Sequence, residues 1–359
     1  MKGALKQPRG LDRFLQRTGR LPDWLLTTLA LIATLAAVSG LIAVLGANPL
    51  VAWKAIVKGS LGSLFNVGQT INVAGILILT GLAAAVPFSA RLWNVGGEGQ
   101  MTLGAIAAAI FGIVLPSSLP RWLLVPVIVL CAAAAGSLFA AIPGYLKARF
   151  DASEVVVSLM LNFVATFVAV WVISEGWPEG FVQRTRSVAE NATLPRPFPG
   201  TLVDVGVFVA LAAALVGWLL LSRTSLGFEI RAMGANARAS LLAGIKTTRV
   251  TMVAFLLAGA FAGLAGALIV LGRDHSLLQN FSANFGFLGI GVALVGRLQP
   301  LAIIPVAFLF AILRVGSNNL QAAAGLTPSV GEVIVSVLVI LLMVAGVIRF
   351  VYPESSSAH

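Results

Sequence analysis

Charge, histidine and cysteine are all scarce in this sequence, and each scarcity removes a class of function. Only 10% of the 359 residues are charged, against about 25% in a soluble domain. The chain therefore cannot cover a water-facing surface. Its two histidines, His275 and His359, lie too far apart for an HExxH motif or any local paired-histidine metal site. No lysine follows a glycine anywhere, so a Walker A phosphate loop is absent and any ATP-driven process would need a second polypeptide. The lone Cys131 sits inside an apolar run and supports neither a disulfide framework nor a metal centre. No nucleophile–base constellation stands out, which argues against an enzyme.

What the sequence does have is apolar length. Hydrophobic residues make up 58% of it, in repeated runs of about 20 residues, the length that crosses a bilayer as a helix. Barrel strands would alternate, and no such pattern appears. The expected class is an all-α polytopic membrane protein. The net charge of +11 invites a nucleic-acid reading, but the basic residues collect at the ends of the apolar runs, as cytoplasmic loops require.

Ten spans emerge in order: about 24–45, 67–89, 101–115, 122–146, 153–173, 203–221, 250–271, a short 285–295, 301–313 and 331–348. An interfacial turn is expected around Trp53–Lys58. Residues 1–23 carry six basic residues and read as a cytoplasmic N-terminus, followed by a first helix that is retained rather than cleaved. Residues 24–350 form one transmembrane domain and 351–359 a tail. With both termini inside, the inner segments hold 16 of the 24 lysines and arginines and the outer segments eight. Residues 174–200, with four prolines, become an outer loop, and 223–249 an inner one that carries Arg223, Arg231, Arg238, Lys246 and Arg249 against Glu229. A short basic helix there could meet anionic lipid or a soluble partner.

Spans 2–5 and 7–10 form two four-helix sets that start on opposite sides of the membrane. Each has a Gly- and Asn-rich break, at 94–99 and at 284–291. Paired breaks in an inverted repeat point to a solute path near the midplane. Asn94, Glu98, Gln100, Asn162, Asn284 and Phe285 are the candidates for that path. Glu98 is either a pathway carboxylate or an acceptor for the free N–H groups of a half-helix. Asn162 either bonds a neighbouring helix or faces the path. The Gly-rich 284–296 run either packs helices closely or lines a passage for a flat ring. Ser153 followed by Glu154 resembles a helix start.

Three blocks, LWNVGGEGQMTLGA (92–105), ASEVVVSLMLN (152–162) and GFEIRAMGANARASLLAGIKTTRVT (227–251), together resemble the permease subunits of bacterial ABC importers for branched-chain amino acids, ribose-type sugars and nucleosides. The likeness is greatest to nucleoside or simple-sugar permeases and covers about 60–350. It implies a vitamin B12-type importer fold in the bacterial inner membrane. It also implies a second permease, two cytoplasmic ATPase subunits that bind ATP and Mg, and an extracytoplasmic binding protein or lipoprotein. No cofactor is expected on this chain itself. By motif match, Gly234, Asn236, Ala239, Gly244 and Ile245, with Arg231 beside them, fall in the loop that docks on the ATPase.

The alternative of a different class is an ion- or proton-coupled secondary transporter. It would normally show intramembrane carboxylates or histidines, and only Glu98 and, near a span start, Glu332 are available.

Overall fold

A computed structural model describes residues 23–325, except 117 and 181, together with 333, 336 and 337. These residues form helices α1 (Asp23–Val44), α2 (Pro49–Leu61), α3 (Leu64–Ser89), α4 (Gly97–Val114), α5 (Arg121–Phe150) and α6 (Glu154–Trp171). A small hairpin follows, β1 (Pro178–Glu179) and β2 (Val182–Thr185), paired antiparallel. Then come α7 (Gly206–Arg223), α8 (Ser225–Ala235), α9 (Ala237–Leu242), α10 (Thr247–Leu268), α11 (Phe285–Val295), α12 (Pro300–Gly316) and α13 (Leu320–Ala324). Two compact units result. One runs from Ile56 to Asn319; the other takes the described residues up to Ala55 and from Leu320 on.

Among the described residues, seven helices are long and apolar enough to cross a membrane. The number is eight if Leu35–Val44 and Pro49–Leu61, bent by 115° at their break, form one span. The expected turn at Trp53–Lys58 is part of the 13-residue helix α2. The eighth expected span is the short helix α11, with the bounds read from the sequence. The tenth, 331–348, the basic segment 1–22 and the tail lie outside the described residues. Helix α4 starts at Gly97, four residues before the expected span, so the glycines of NVGGEGQ begin the helix instead of merely interrupting it.

Within Ile56–Asn319 the core is built around α3, whose membrane-length window is 89% buried, while that of α5 is only 28% buried. The difference follows from composition. Helix α5 exposes Trp122, Leu130 and Leu138, and α6 exposes Phe163, Phe167 and Trp171, side chains that suit acyl chains. Helix α10 instead crosses α4 and α5 at glycines: a Cβ at Gly104 would strike the Gly263 backbone, and one at Gly136 the Gly259 carbonyl. Small residues let apolar helices approach closely where no hydrophobic effect drives them together.

Candidate functional site

Two places in the Ile56–Asn319 unit concentrate polar groups, and the first lies at the start of α4. Asn94 and Gln100 exchange two amide hydrogen bonds, at 3.0 and 2.9 Å. Asn94 Oδ1 also accepts the Gly96 N–H at 3.1 Å. From α6, Asn162 accepts the Gly99 N–H at 2.9 Å and donates to the Val95 carbonyl at 3.0 Å. All three side chains are buried. The turn that precedes a membrane helix has orphan N–H groups that nothing in lipid can satisfy. Here Asn94 and Asn162 satisfy them, and α6 is fixed against α4 in the process.

Glu98, also buried, reaches the other break. Its carboxylate accepts the Gly286 N–H at 2.8 Å, and the Ser282 hydroxyl and Phe287 N–H also bond to it. The N-cap of α11, Asn284, has a left-handed backbone (φ 62°) and no side-chain cap of its own. Glu98, the second residue of α4, thus caps the second residue of α11. A Cβ at position 286 would fall on the Glu98 backbone, so only glycine fits. Phe285 is buried beneath Arg273, whose guanidinium lies 5.6 Å from its ring. Arg273 also pairs with Asp274 at 2.7 Å and donates to the Phe281 carbonyl at 2.8 Å. Of the six expected pathway residues, Asn94, Glu98, Gln100 and Asn162 are therefore bonded within the protein. Phe285 is packed, and Asn284 is the one that is exposed.

The second place is formed by residues 90–92 at the end of α3, the α5–α6 turn and α8–α9. Lys147 closes the α5–α6 turn through Asp151 at 2.7 Å and Glu154 at 3.2 Å. Thr224 caps α8 by accepting the Gly227 N–H at 3.0 Å. Asn236 caps α9 by accepting from Arg238 and Ala239 N–H at 3.1 and 3.0 Å. Helix α9 stops at Gly244, whose φ of +86° suits glycine, and Ile245 N–H returns to the Ser240 carbonyl at 3.0 Å. This closure satisfies carbonyls at the helix end. A groove of about 750 Å³ lies between α9 and the α5–α6 turn, bordered by Arg91, Arg149 and Arg238.

The expected coupling residues separate on this face. Gly234 is buried, and a Cβ there would meet the Ser89 carbonyl at the end of α3. Arg231, Asn236, Ala239 and Gly244 are exposed, and Ile245 is half-buried. Sequence reasoning missed Leu241 and Leu242, which are 61% and 87% exposed on α9. Their signal was two adjacent leucines inside the most basic loop of the chain.

A profile for the family described as branched-chain amino acid transport system, permease component, matches residues 66–345. The chain belongs to that family. It is a multi-pass membrane protein and a transport subunit, with ATP hydrolysis assigned to a separate chain. It is 34% identical over 338 residues to a guanosine ABC transporter permease protein of Bacillus subtilis, covering 92% of this chain and 96% of the relative. A nucleoside ABC transporter permease protein of Lactococcus lactis is 30% identical over 323 residues, covering 87% and 88%. A glucose ABC transporter permease protein of Haloferax volcanii is 32% identical over 340 residues, covering 90% and 88%. Members of this family work with ATPase and substrate-binding partners, the coarse assembly expected from the sequence.

Proposed function

We propose that this chain is a permease subunit of an inner-membrane importer for nucleosides, with ten spans in the vitamin B12-type arrangement. Both termini are cytoplasmic, 174–200 is an extracytoplasmic loop, and the two breaks belong to an inverted repeat. The observation that carries the substrate reading is the 34% identity over nearly the whole chain to a guanosine permease. The comparable likeness to a glucose permease supports a simple sugar as the second reading. A competition uptake panel separates them.

On this reading the ATPase docks on α8–α9. Leu241 and Leu242 stand exposed on α9 beside a groove bordered by Arg91, Arg149 and Arg238, and Arg231 is exposed on α8. Exposed leucines outside a membrane span call for a protein partner more than for water, and the capped, glycine-closed α9 presents them rigidly. Gly234 then serves transmission rather than contact, because its packing on Ser89 joins α8 to the end of the central helix α3. A second permease and a lipoprotein or soluble binding protein complete the assembly. ATP and Mg are held by the ATPase subunits, and no cofactor is assigned to this chain.

The polar knot acts as the fixed joint of the two repeats. Asn94, Gln100, Asn162 and Glu98 hold α4, α6 and α11 in place. Asn284, exposed at the start of α11, is left to meet solute.

A further inference from the structure

We propose that Asp204 is a proton-sensitive positioning residue that joins the start of α7 to the end of α10, and that its protonation holds this joint closed. This role rests on membership of a transporter family and on no particular substrate. Asp204 lies just before α7, on the side of the chain that carries 174–200. It is 4% exposed. Its Oδ1 accepts the Gly206 N–H at 2.7 Å, capping α7. Its own N–H donates to Asn72 of α3 at 3.3 Å, and Asn72 donates to the Leu202 carbonyl at 2.5 Å.

Two glycines shape the slot. A Cβ at Gly206 would come 2.6 Å from Asp204 Oδ1, and one at Gly272, in the turn after α10, 2.6 Å from Oδ2. The carboxyl group thus sits close against the backbone at Gly206 and at Gly272, and a side chain at either position would collide with it. Helix α3 carries no charged residue. The charged residues of α7 and α10, Arg223 and Arg249, stand at their far ends. In the turn after α10, Arg273 and Asp274 are bonded to one another. That leaves Arg196 facing Asp204, with its Nη2 3.5 Å from the Gly272 carbonyl and 3.3 Å from His275 Nε2.

Burial pushes the Asp204 carboxyl up to about 6, while the Gly206 N–H and Arg196 act the other way. A carboxyl with a raised value in the closed joint binds its proton more tightly there than in water, where it titrates near ~3.9. Closure is therefore favoured fully below that ordinary value, and the advantage is lost as pH rises through about 6. Above it, the ionised group favours a joint opened to water. His275 opposes this: burial and Arg196 hold its value below the usual imidazole range, so its protonation loosens the same joint.

The test is hydrogen–deuterium exchange of residues 203–207 in the assembled importer in lipid nanodiscs, at about pH 5 and about pH 7.5, corrected for intrinsic exchange. Protection about tenfold greater at the lower pH is expected, because a carboxyl raised to about 6 in the closed joint is mostly protonated at about pH 5 and mostly ionised at about pH 7.5. That interval takes in about one decade of its roughly hundredfold tighter proton binding. Asp204→Asn should make protection independent of pH. Arg196→Gln should move the midpoint upward, and it serves alone where Asp204→Asn does not assemble. His275→Gln should steepen the dependence. Equal protection at the two pH values in the wild type, a pH dependence that survives Asp204→Asn, or an unmoved midpoint in Arg196→Gln would overturn the proposal. The exchange readout needs no substrate, so a wrong substrate assignment leaves it standing.

Discussion

Glu98 and Gly286 occupy the second positions of α4 and α11, and the carboxylate of one accepts the amide of the other at 2.8 Å. The start of each broken span is thereby tied to the start of the other. Gly286→Ala puts a Cβ onto the Glu98 backbone, which no side-chain rotation relieves. Loss of folded, membrane-inserted protein is expected, measured as monodisperse yield after detergent extraction. Glu98→Ala leaves the Gly286 N–H buried and unpaired, a cost of about 1–3 kcal/mol. Glu98→Gln keeps one acceptor and should be milder in thermal stability.

Asn162 joins α6 to the turn before α4 through both ends of its amide. Asn162→Ala orphans the Gly99 N–H and the Val95 carbonyl together, each worth about 1–3 kcal/mol. A lower melting temperature with unchanged substrate preference is the expected outcome, read by thermal denaturation and by competition uptake. A changed preference at unchanged stability would return Asn162 to the solute path.

Leu242 is 87% exposed, so Leu242→Asp should leave folding within about 0.5 kcal/mol. If it anchors the ATPase, affinity should fall by about 2 kcal/mol or more, the scale of an interface hot spot. Co-purification of the ATPase and substrate-stimulated ATP hydrolysis are the measurements. Undiminished association would place the contact elsewhere on the face.

Gly244 stands in the motif for close docking, yet a Cβ there meets nothing within 4 Å in this chain. Its requirement is the backbone, at φ +86°. Gly244→Ala should loosen the end of α9 at a cost on the order of 1–2 kcal/mol. Uptake should fall together with α9 order, and Gly244→Asn, which tolerates this conformation better, should recover part of it.

The sequence was most legible where periodicity and composition act locally. Ser153 and Glu154 predict a helix start, and α6 begins there with Ser153 as its cap. The short apolar run 285–295 is a helix with those bounds. Rarity of polar residues in an apolar chain picks out Asn94, Glu98 and Asn162, but pairing is set by tertiary approach, and no spacing encodes it. Glu98 accepts an N–H at a helix start, but that helix is α11 and not its own α4, a pairing no spacing announces. Leu241 and Leu242 stand out in the sequence only as a pair inside a basic loop, a weak signal where leucine is common, until the fold leaves them bare. Asp204 looks like one acid at a span edge, and only the fold, which leaves it 4% exposed, shows that it is buried.

The central claim, import of nucleosides by an ATP-driven assembly containing this permease, is tested most directly by uptake of labelled guanosine into proteoliposomes of the complete importer. Excess unlabelled nucleosides, glucose and branched-chain amino acids serve as competitors. The predicted result is ATP-dependent uptake that unlabelled nucleosides abolish and the other competitors leave unchanged. No guanosine uptake in vesicles that accumulate labelled glucose, or competition by glucose alone, would contradict it.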